Sequence, residues 1–166
     1  MKRAISLMLM LTLICSLSCA AAVAENADTL VNWGIRITVP DGASAMLKGD
    51  EYYIYAQEEG YIPYVMLTVY SARPEEEFLV AFTEYMRGQY AGLRITKQAE
   101  KKTIGGKECY EINYSYLVSG YEVNDRRIAV TQESRTFLFT SKDIESLDMT
   151  VGTMLEDVIK GCVFLM

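Results

Sequence analysis

The chain contains no histidine, and this limits the chemistry that its side chains can perform. Without an imidazole there is no His-based general acid or base, no Ser-His or Cys-His nucleophile pair, and no His-ligated metal. Cys109 would need a base or a cation beside it to become a thiolate, and Lys107 is the cation closest to it in the sequence. Ser115, Ser119 and Ser134 lie outside any Gly-x-Ser-x-Gly motif. We therefore expect no catalytic residue.

Carboxylates are the remaining groups that could act as general acid and base. Asp50-Glu51 and Glu58-Glu59 are adjacent pairs on predicted turns, a position typical of solvated acids. Hydrolysis by two carboxylates requires acids that converge from separate elements of the fold. A secreted, carboxylate-dependent hydrolase therefore stays open as an alternative function.

The sequence also lacks the common motifs for metals and phosphates. It has no Asp-x-Asp-x-Asp-Gly loop, so we expect no calcium site of the helix–loop–helix kind. Gly105-Gly106 lies between two predicted strands and precedes no helix, which is typical of a hairpin turn and not of a phosphate-binding loop. We expect no metal and no cofactor.

Tyrosine is the residue type that points to binding, because it offers a large contact area with a polar tip. The chain has 12 tyrosines, and several of them crowd the predicted strands after Asp50. Tyr53 and Tyr55 fall on one face of their strand and are the first candidates for contact with a protein, a peptide or a glycan. The alternative is that the tyrosines fill the half-exposed margins of a small sheet, as their β-propensity favours.

Charge patterning excludes some partners and suggests one further binding position. The formal charge of −6 and the isoelectric point of about 4.8 disfavour nucleic acid and anionic membranes as partners. Arg126 and Arg127 form a basic pair, which we interpret as a strand-edge feature. Such a pair could contact a carboxylate ligand or protect the edge of the sheet.

The first 24 residues are typical of an export signal. A positive start at Met1-Lys2-Arg3 precedes an apolar run too short to span a bilayer, and Ala22-Val23-Ala24 supplies a small-x-small cleavage motif. We predict cleavage after Ala24 and a single α+β domain over residues 25–166, with a charge of −8 after the loss of two cations. The alternative is an envelope lipoprotein anchored through Cys19 or Cys15, although neither cysteine has the leucine of a typical lipobox.

Cys109 and Cys162 would remain after cleavage, in a compartment where a disulfide could form. The strand from Glu108 to Val118 places Cys109 on its polar face, whereas Cys162 continues the apolar stripe of the last helix. This alternation favours two unpaired cysteines, because Cys162 should point inward and Cys109 away.

Hydrophobic periodicity predicts an α+β fold. Pro74 and the acidic residues after it begin a helix that ends near Gly92, and Ser141 is the predicted N-cap of a closing helix that runs through Ile159. Short turns between the strands indicate a largely antiparallel sheet packed with two helices. The predicted strands cover residues 31–39, 51–56, 61–70, 93–104, 107–118, 121–131 and 135–140.

The order of these elements is similar to that of the PsbP/Mog1-like family. Three motifs carry the resemblance: Val39-Pro40, the Gly-Gly-x-x-x-Tyr hairpin from Gly105 to Tyr110, and the ending from Val158 to Phe164. In that ending Gly161-Cys162-Val163-Phe164 departs from the Ser-Phe-x-Phe-like tail that is common in the family. The resemblance covers nearly all of residues 25–166. It implies a sandwich of antiparallel sheet and helices and a non-catalytic binding or accessory role, with no catalytic residues to carry over.

Overall fold

A computed structural model describes residues 27–56, 64–147 and 149–165 of the chain. The predicted export signal, its cleavage site at Ala24 and the two cysteines within it lie outside these ranges. So does the predicted turn at Glu58-Glu59. What the sequence predicts for these segments stays a prediction.

The described strands form a seven-stranded sheet and a three-stranded sheet. Every neighbouring pair is antiparallel, and the strand order is β3-β4-β5-β9-β8-β7-β6 in the large sheet and β1-β2-β10 in the small one. The strands are β1 (Ala27–Leu30), β2 (Ile35–Thr38), β3 (Ser44–Lys48), β4 (Glu51–Tyr55), β5 (Tyr64–Ser71), β6 (Arg94–Ile104), β7 (Lys107–Val118), β8 (Tyr121–Gln132), β9 (Arg135–Asp143) and β10 (Val163–Phe164).

Two helices in the described part of the chain cover opposite faces of the large sheet. Helix α1 (Glu75–Gln89) follows Pro74, carries three glutamates in its first turn where the helix dipole favours them, and packs over β6, β7 and β8. Helix α2 (Met154–Gly161) packs against β2, β6 and β9 on the other face. The small sheet lies on the α2 side, so the fold has three layers. Neither helix of the described ranges is long and apolar enough to cross a membrane.

Each face of the large sheet has its own apolar core. Strand residues alternate between the two faces, so Ile128 and Val130 enter the core under α2 whereas Ala129 enters the core under α1. Leu155 of α2 and Leu79 of α1 are fully buried in these two cores. The α+β class, with its largely antiparallel sheet, is therefore confirmed, and α1 and the four long strands lie close to their predicted bounds.

The prediction of one strand over residues 31–39 is wrong. The chain forms β1, a short 3₁₀ turn over Val31–Trp33 and then β2. Gly34 ends the turn with φ 68°, a left-handed conformation that interrupts an extended strand. The alternation of apolar residues is uninterrupted across Gly34, so the sequence pattern does not show the break.

The closing helix is much shorter than predicted, and Ser141 is not its N-cap. Strand β9 continues through Ser141, which pairs with Val65 of β5, and ends at Asp143. Gly152 has φ 54°, and α2 begins only at Met154. Ile144 and Val151 still reach the cores from irregular backbone, whereas Leu147 is exposed.

Cys109 and Cys162 are unpaired, although the reasoning that predicted this was partly wrong. Both lie in the core under α2 and are 1% and 2% exposed, so Cys109 does not point away from the interior. The face of β7 that carries Cys109 is covered by another layer. Burial raises the pKa of both thiols, that of Cys162 to about 11.

We expect both thiols to be inert in the folded protein. In protein that begins at Glu25, an aromatic disulfide reagent should react with two thiols per chain only after unfolding, because burial blocks access and holds each sulfur protonated. The exposed variant Ser146→Cys should react at once and serves as the control. Rapid reaction of the folded wild type would contradict the packing described here.

A buried ion-pair network joins α2 to the sheet. Glu111 of β7 is buried and accepts two hydrogen bonds of 2.9 Å from the guanidinium of Arg126 on β8. Lys102 of β6 donates a third bond to Glu111, and Arg126 also donates to Glu156 of α2 at 2.7 Å. Burial of Glu111 disfavours its charge, but Arg126 and Lys102 outweigh this effect and lower its pKa from 4.5 to about 2.

This shift predicts an acid-dependent loss of stability. A carboxylate whose pKa is lower in the folded state stabilises the fold above its unfolded pKa, and this contribution disappears as pH falls from about 4.5 towards 2. Glu111→Gln should lower the free energy of unfolding near neutral pH by on the order of 3 kcal/mol, and the difference from wild type should shrink across that window.

Urea titrations at several pH values measure this difference. Glu108→Gln, at an exposed position of the same strand, should change the free energy of unfolding by less than about 0.5 kcal/mol. A Glu111→Gln penalty that stays constant from neutral pH down to acid would refute the assignment.

Candidate functional site

A cavity of about 630 Å³ lies between α1 and the face of the large sheet that α1 covers. This volume is within the range of ligand-binding cavities. Its lining comes from α1, β4, β5, β8 and β9, together with Arg73 between β5 and α1 and Tyr90 directly after α1. The lining residues are Glu51, Met66, Thr68, Tyr70, Ser71, Arg73, Phe78, Ala81, Phe82, Tyr85, Met86, Gln89, Tyr90, Arg127, Leu138 and Lys142.

Aromatic rings form one wall of the cavity. Phe78, Phe82 and Tyr85 recur at spacings of four and three residues, which places them on one side of α1. The ring centroids of Phe78 and Phe82 are 5.9 Å apart, and those of Phe82 and Tyr85 are 5.6 Å apart. Tyr70 of β5 continues this wall onto the sheet, with its ring 5.0 Å from that of Phe78. The wall therefore offers contiguous apolar area with hydroxyl groups at two places.

A buried ion pair lies in the floor. Asp125 and Arg127 are neighbours on one face of β8, and they are 1% and 4% exposed. Nε and one terminal nitrogen of Arg127 each donate to an oxygen of Asp125 at 2.8 Å. The guanidinium carbon also lies 4.4 Å from the centroid of the Phe82 ring, a cation–π contact. Burial opposes the charge of Arg127, but Asp125 overcomes this and raises the pKa of the guanidinium.

Tyrosines complete the surroundings of this ion pair. Tyr116 Oη donates to Asp125 at 2.9 Å, and the Tyr116 ring stacks on Tyr90 at the end of α1 with centroids 4.0 Å apart. Burial, together with the charge of Asp125, raises the pKa of Tyr116. Tyr114 Oη lies 2.7 Å from Thr83 Oγ1 and so ties β7 to the middle of α1. These contacts hold the helix above the floor and keep Asp125 fixed.

Lys142 of β9 is a second cation at the cavity and differs from Arg127 in its partners. It is half-buried and lies opposite Asp125 on β8 and opposite Tyr64 on β5. Its Nζ makes no hydrogen bond or ion pair with any residue of the described ranges. Desolvation lowers the pKa of Lys142, and the charge of Asp125 offsets only part of this effect.

A tyrosine cluster borders the cavity next to Glu51. Tyr53 and Tyr55 of β4 stack with ring centroids 5.8 Å apart, and Tyr64 meets both rings edge-on. Tyr53 Oη donates to Glu51 at 2.6 Å, and Lys48 Nζ donates to Tyr55 Oη at 3.2 Å. Burial, with smaller contributions from Asp125 and Glu51, raises the pKa of Tyr64 to about 12. The cluster therefore holds Glu51 in place. Tyr55 is itself buried, with only 3% of its surface exposed.

The structure does not bring the four predicted site residues together. Arg127 lines the cavity, and Tyr53 reaches it through Glu51. Arg126 points to the opposite face, towards Glu111. The strand-edge interpretation of the arginine pair is wrong, because β8 lies inside the sheet between β9 and β7. That Tyr53, Tyr55, Arg126 and Arg127 bind a ligand stays a prediction.

Sequence reasoning missed several lining residues, and Lys142 is the most important of them. Thr136, Leu138, Thr140 and Lys142 alternate along one face of β9, but residues from Ser141 onward were assigned to a helix. Extending the predicted strand by two residues places Lys142 next to Thr140 on this face. The spacing of Phe82 from Phe78 and Tyr85 places it on the apolar side of a helix, but the sequence does not show that this side borders an open volume.

A second hollow, of about 750 Å³, lies between β9 and the small sheet. Two of its polar groups already have partners within the fold, since Lys107 Nζ donates to the Lys160 carbonyl and Cys162 Sγ to that of Ile159, both at 3.2 Å. Within the described ranges, no three acidic or cysteine side chains surround a common point at which a metal ion could sit. The cavity under α1 is therefore the better candidate.

Solved structures of other proteins share this fold. CyanoP, a cyanobacterial PsbP from Synechocystis, is 13% identical with a TM-score of 0.62, over 84% of this chain and 91% of CyanoP. LpqN of Mycobacterium tuberculosis, a protein involved in cell envelope biogenesis, is 13% identical with a TM-score of 0.58, over 80% of this chain and 83% of LpqN. A protein from Bacteroides thetaiotaomicron is 10% identical with a TM-score of 0.56, over 80% of this chain, which spans only 46% of that protein.

No sequence profile of a protein family matches the chain, and no curated protein matches it in sequence. The likeness to CyanoP and LpqN nevertheless confirms the resemblance to the PsbP/Mog1-like proteins at the level of the fold. At these identities the likeness extends to the fold alone.

The Asp125–Arg127 pair should be strongly coupled, because each charge is buried and has the other as its ionic partner. Asp125→Asn should lower the free energy of unfolding by about 3–5 kcal/mol, since it leaves the Arg127 charge buried without a counter-charge. Arg127→Met should cost a similar amount, and the double variant should cost clearly less than the sum of the two.

Urea unfolding of the four proteins closes this double-mutant cycle. The exposed pair of Glu84 and Arg87 on α1 is the matched control, and its coupling should stay below about 1 kcal/mol. Additive effects of Asp125→Asn and Arg127→Met would show that the two side chains do not interact as described.

Proposed function

We propose that this protein is an exported binding domain that holds a small ligand in the cavity under α1 and does not convert it. The observation that carries this proposal is the combination of volume, aromatic walls and a few fixed polar groups in one hollow. Ligand-binding cavities are typically apolar, with a small number of polar groups that orient the ligand. Arg127, Lys142 and Glu51 would have this orienting role.

The arrangement of carboxylates favours binding over hydrolysis. Glu51 is the single carboxylate among the described residues that line the cavity. Asp125 lies behind the lining and is engaged by Arg127 and Tyr116, and Glu111 belongs to the opposite face. Two-carboxylate hydrolysis requires a pair of acids that flank one substrate bond, so a carboxylate-dependent hydrolase is the weaker candidate.

The proposed location outside the cytoplasm rests mainly on the export signal in residues 1–24. Anchoring through Cys19 would give an envelope-attached version of the same domain. The fold shared with LpqN, itself involved in cell envelope biogenesis, supports a role outside the cytoplasm. CyanoP shares the fold as well, and the sequence resemblance to the PsbP/Mog1-like family, which implies a non-catalytic binding or accessory role, agrees with this proposal.

Blocking the cavity from α1 should abolish binding of an apolar probe. The neutral dye N-phenylnaphthylamine should bind the wild type with a rise in fluorescence, excited outside the tryptophan absorption band. Ala81→Trp and Gln89→Trp place a large ring at lining positions that are exposed, so the helix should tolerate them. Each should weaken binding by about tenfold or more, equivalent to at least about 1.4 kcal/mol.

Val80→Trp is the control, because Val80 is 58% exposed on the same helix and does not line the cavity. It should bind the dye like the wild type, and all three variants should retain the wild-type melting temperature within a few degrees. Failure of the wild type to bind the dye, or equal losses in all three variants, would reject the proposed site.

A further inference from the structure

Lys142 is a charged group in the cavity wall that contacts no counter-charge among the residues that the structure describes. Its strand neighbours across the sheet are Asp125 and Tyr64, yet its ammonium makes no ion pair within 4.0 Å of any described carboxylate. A half-buried charge is costly unless a partner compensates for its lost hydration. Desolvation lowers the pKa of Lys142, Arg127 adds to this effect, and the charges of Asp125 and Glu51 offset only part of it.

The nearby carboxylates are already engaged by other groups. Both oxygens of Asp125 accept bonds from Arg127, and one of them also accepts from Tyr116. Glu51 accepts a bond from Tyr53 at 2.6 Å. Since these two acids are held by their own donors, no carboxylate of residues 27–56, 64–147 and 149–165 is in contact with the Lys142 ammonium.

The cavity is also cationic in an otherwise acidic chain. Its described lining residues include three cations, Arg73, Arg127 and Lys142, against one carboxylate, Glu51. Asp125 compensates the charge of Arg127. Arg73 and Lys142 then still outnumber Glu51, so the cavity is positive although the chain carries a charge of −6. A cation would meet an unfavourable potential here, and a neutral molecule would leave Lys142 without its partner.

A third observation concerns Thr140, which lies between Leu138 and Lys142 on the same face of β9 and opposite Arg127 on β8. It is fully buried, and its hydroxyl oxygen has no hydrogen-bond partner among the described residues. Unsatisfied buried polar groups are few in native proteins, and each calls for an explanation such as a bound water, an ion or another partner. Thr140 is not itself a lining residue, but it lies directly behind the lining between Leu138 and Lys142, so an unsatisfied hydroxyl lies next to the unpaired ammonium on this face of β9.

We propose that the ligand is an organic anion with an apolar body, whose acidic group pairs with Lys142 while its body lies against the aromatic wall of Phe78, Phe82 and Tyr70. This inference rests on the proposed function, since it names the class of ligand for the same cavity. A carboxylate, sulfonate or phosphate supplies the missing counter-charge. The apolar body covers rings that water otherwise contacts.

Two dyes with the same aromatic skeleton test the charge preference. N-phenylnaphthylamine is neutral, and anilinonaphthalene sulfonate adds one sulfonate to it. The wild type should bind the sulfonate at least about fivefold more tightly, which corresponds to roughly 1 kcal/mol. Lys142→Met, which keeps an unbranched side chain one heavy atom shorter, should abolish this preference, measured as the ratio of the two affinities. Lys142→Arg should restore most of the preference.

Lys101→Met is the control for net charge, because it removes one cation from an exposed position on β6 outside the lining. It should leave the affinities for both dyes unchanged. Strong salt should reduce the preference for the sulfonate only slightly. The Lys142 charge is partly buried, and salt screens buried charges less than exposed ones.

The outcomes separate the two proposals. If Ala81→Trp blocks both dyes but Lys142→Met does not change their ratio, the cavity binds ligands and the anion assignment is wrong. If neither dye binds the wild type, both proposals fail. Competition against the bound sulfonate then identifies the apolar body: displacement by octanoate indicates an acyl chain, displacement by naphthoate indicates an aryl group, and displacement by neither contradicts the assignment.

Discussion

The central strands of the large sheet are covered on both faces, and this constraint governs the positions of the charged residues. Arg126 and Arg127 are neighbours in the sequence, yet each enters a different layer and each requires its own carboxylate. Glu111 meets the first and Asp125 meets the second, so one ion pair connects the sheet to α2 and the other lies under α1. An unpaired charge in either layer would cost several kcal/mol. The two pairs therefore also fix which residue of β8 faces which layer.

The cavity follows from a mismatch between the helix and the sheet. Helix α1 packs over β6, β7 and β8, whereas the sheet continues beyond them through β9, β5 and β4. The outer side of α1 therefore overhangs strands that it does not cover closely. Aromatic side chains fill part of this volume because they are long enough to reach from helix to sheet, and the remainder stays open. The open part coincides with polar side chains of β8 and β9, which the interior of a fully packed sandwich would exclude.

Much of the fold could be predicted from local patterns, but the layer that covers each face of the large sheet could not. Alternation correctly assigned the residues of β7 to two faces, and glycine turns located the hairpins around it. It could not show that the polar face with Cys109 and Glu111 lies under α2, because strand order and layer contacts depend on residues far apart in the sequence. Because the strand order could not be predicted, Arg126 and Arg127 were also wrongly assigned to an edge strand. Lys142 was missed for a local reason, since an apolar stripe continued past the true end of β9.

The small sheet joins segments that are distant along the chain, because Ile35 of β2 pairs with Phe164 of β10. Bringing such segments together carries a high entropic penalty, and the antiparallel ladder cannot form until both are available. A nascent polypeptide with this topology lacks its final layer until nearly all the described residues have left the ribosome. That delay leaves the core under α2 open until the last described residues are available, so the C-terminal segment decides when this face of the large sheet closes.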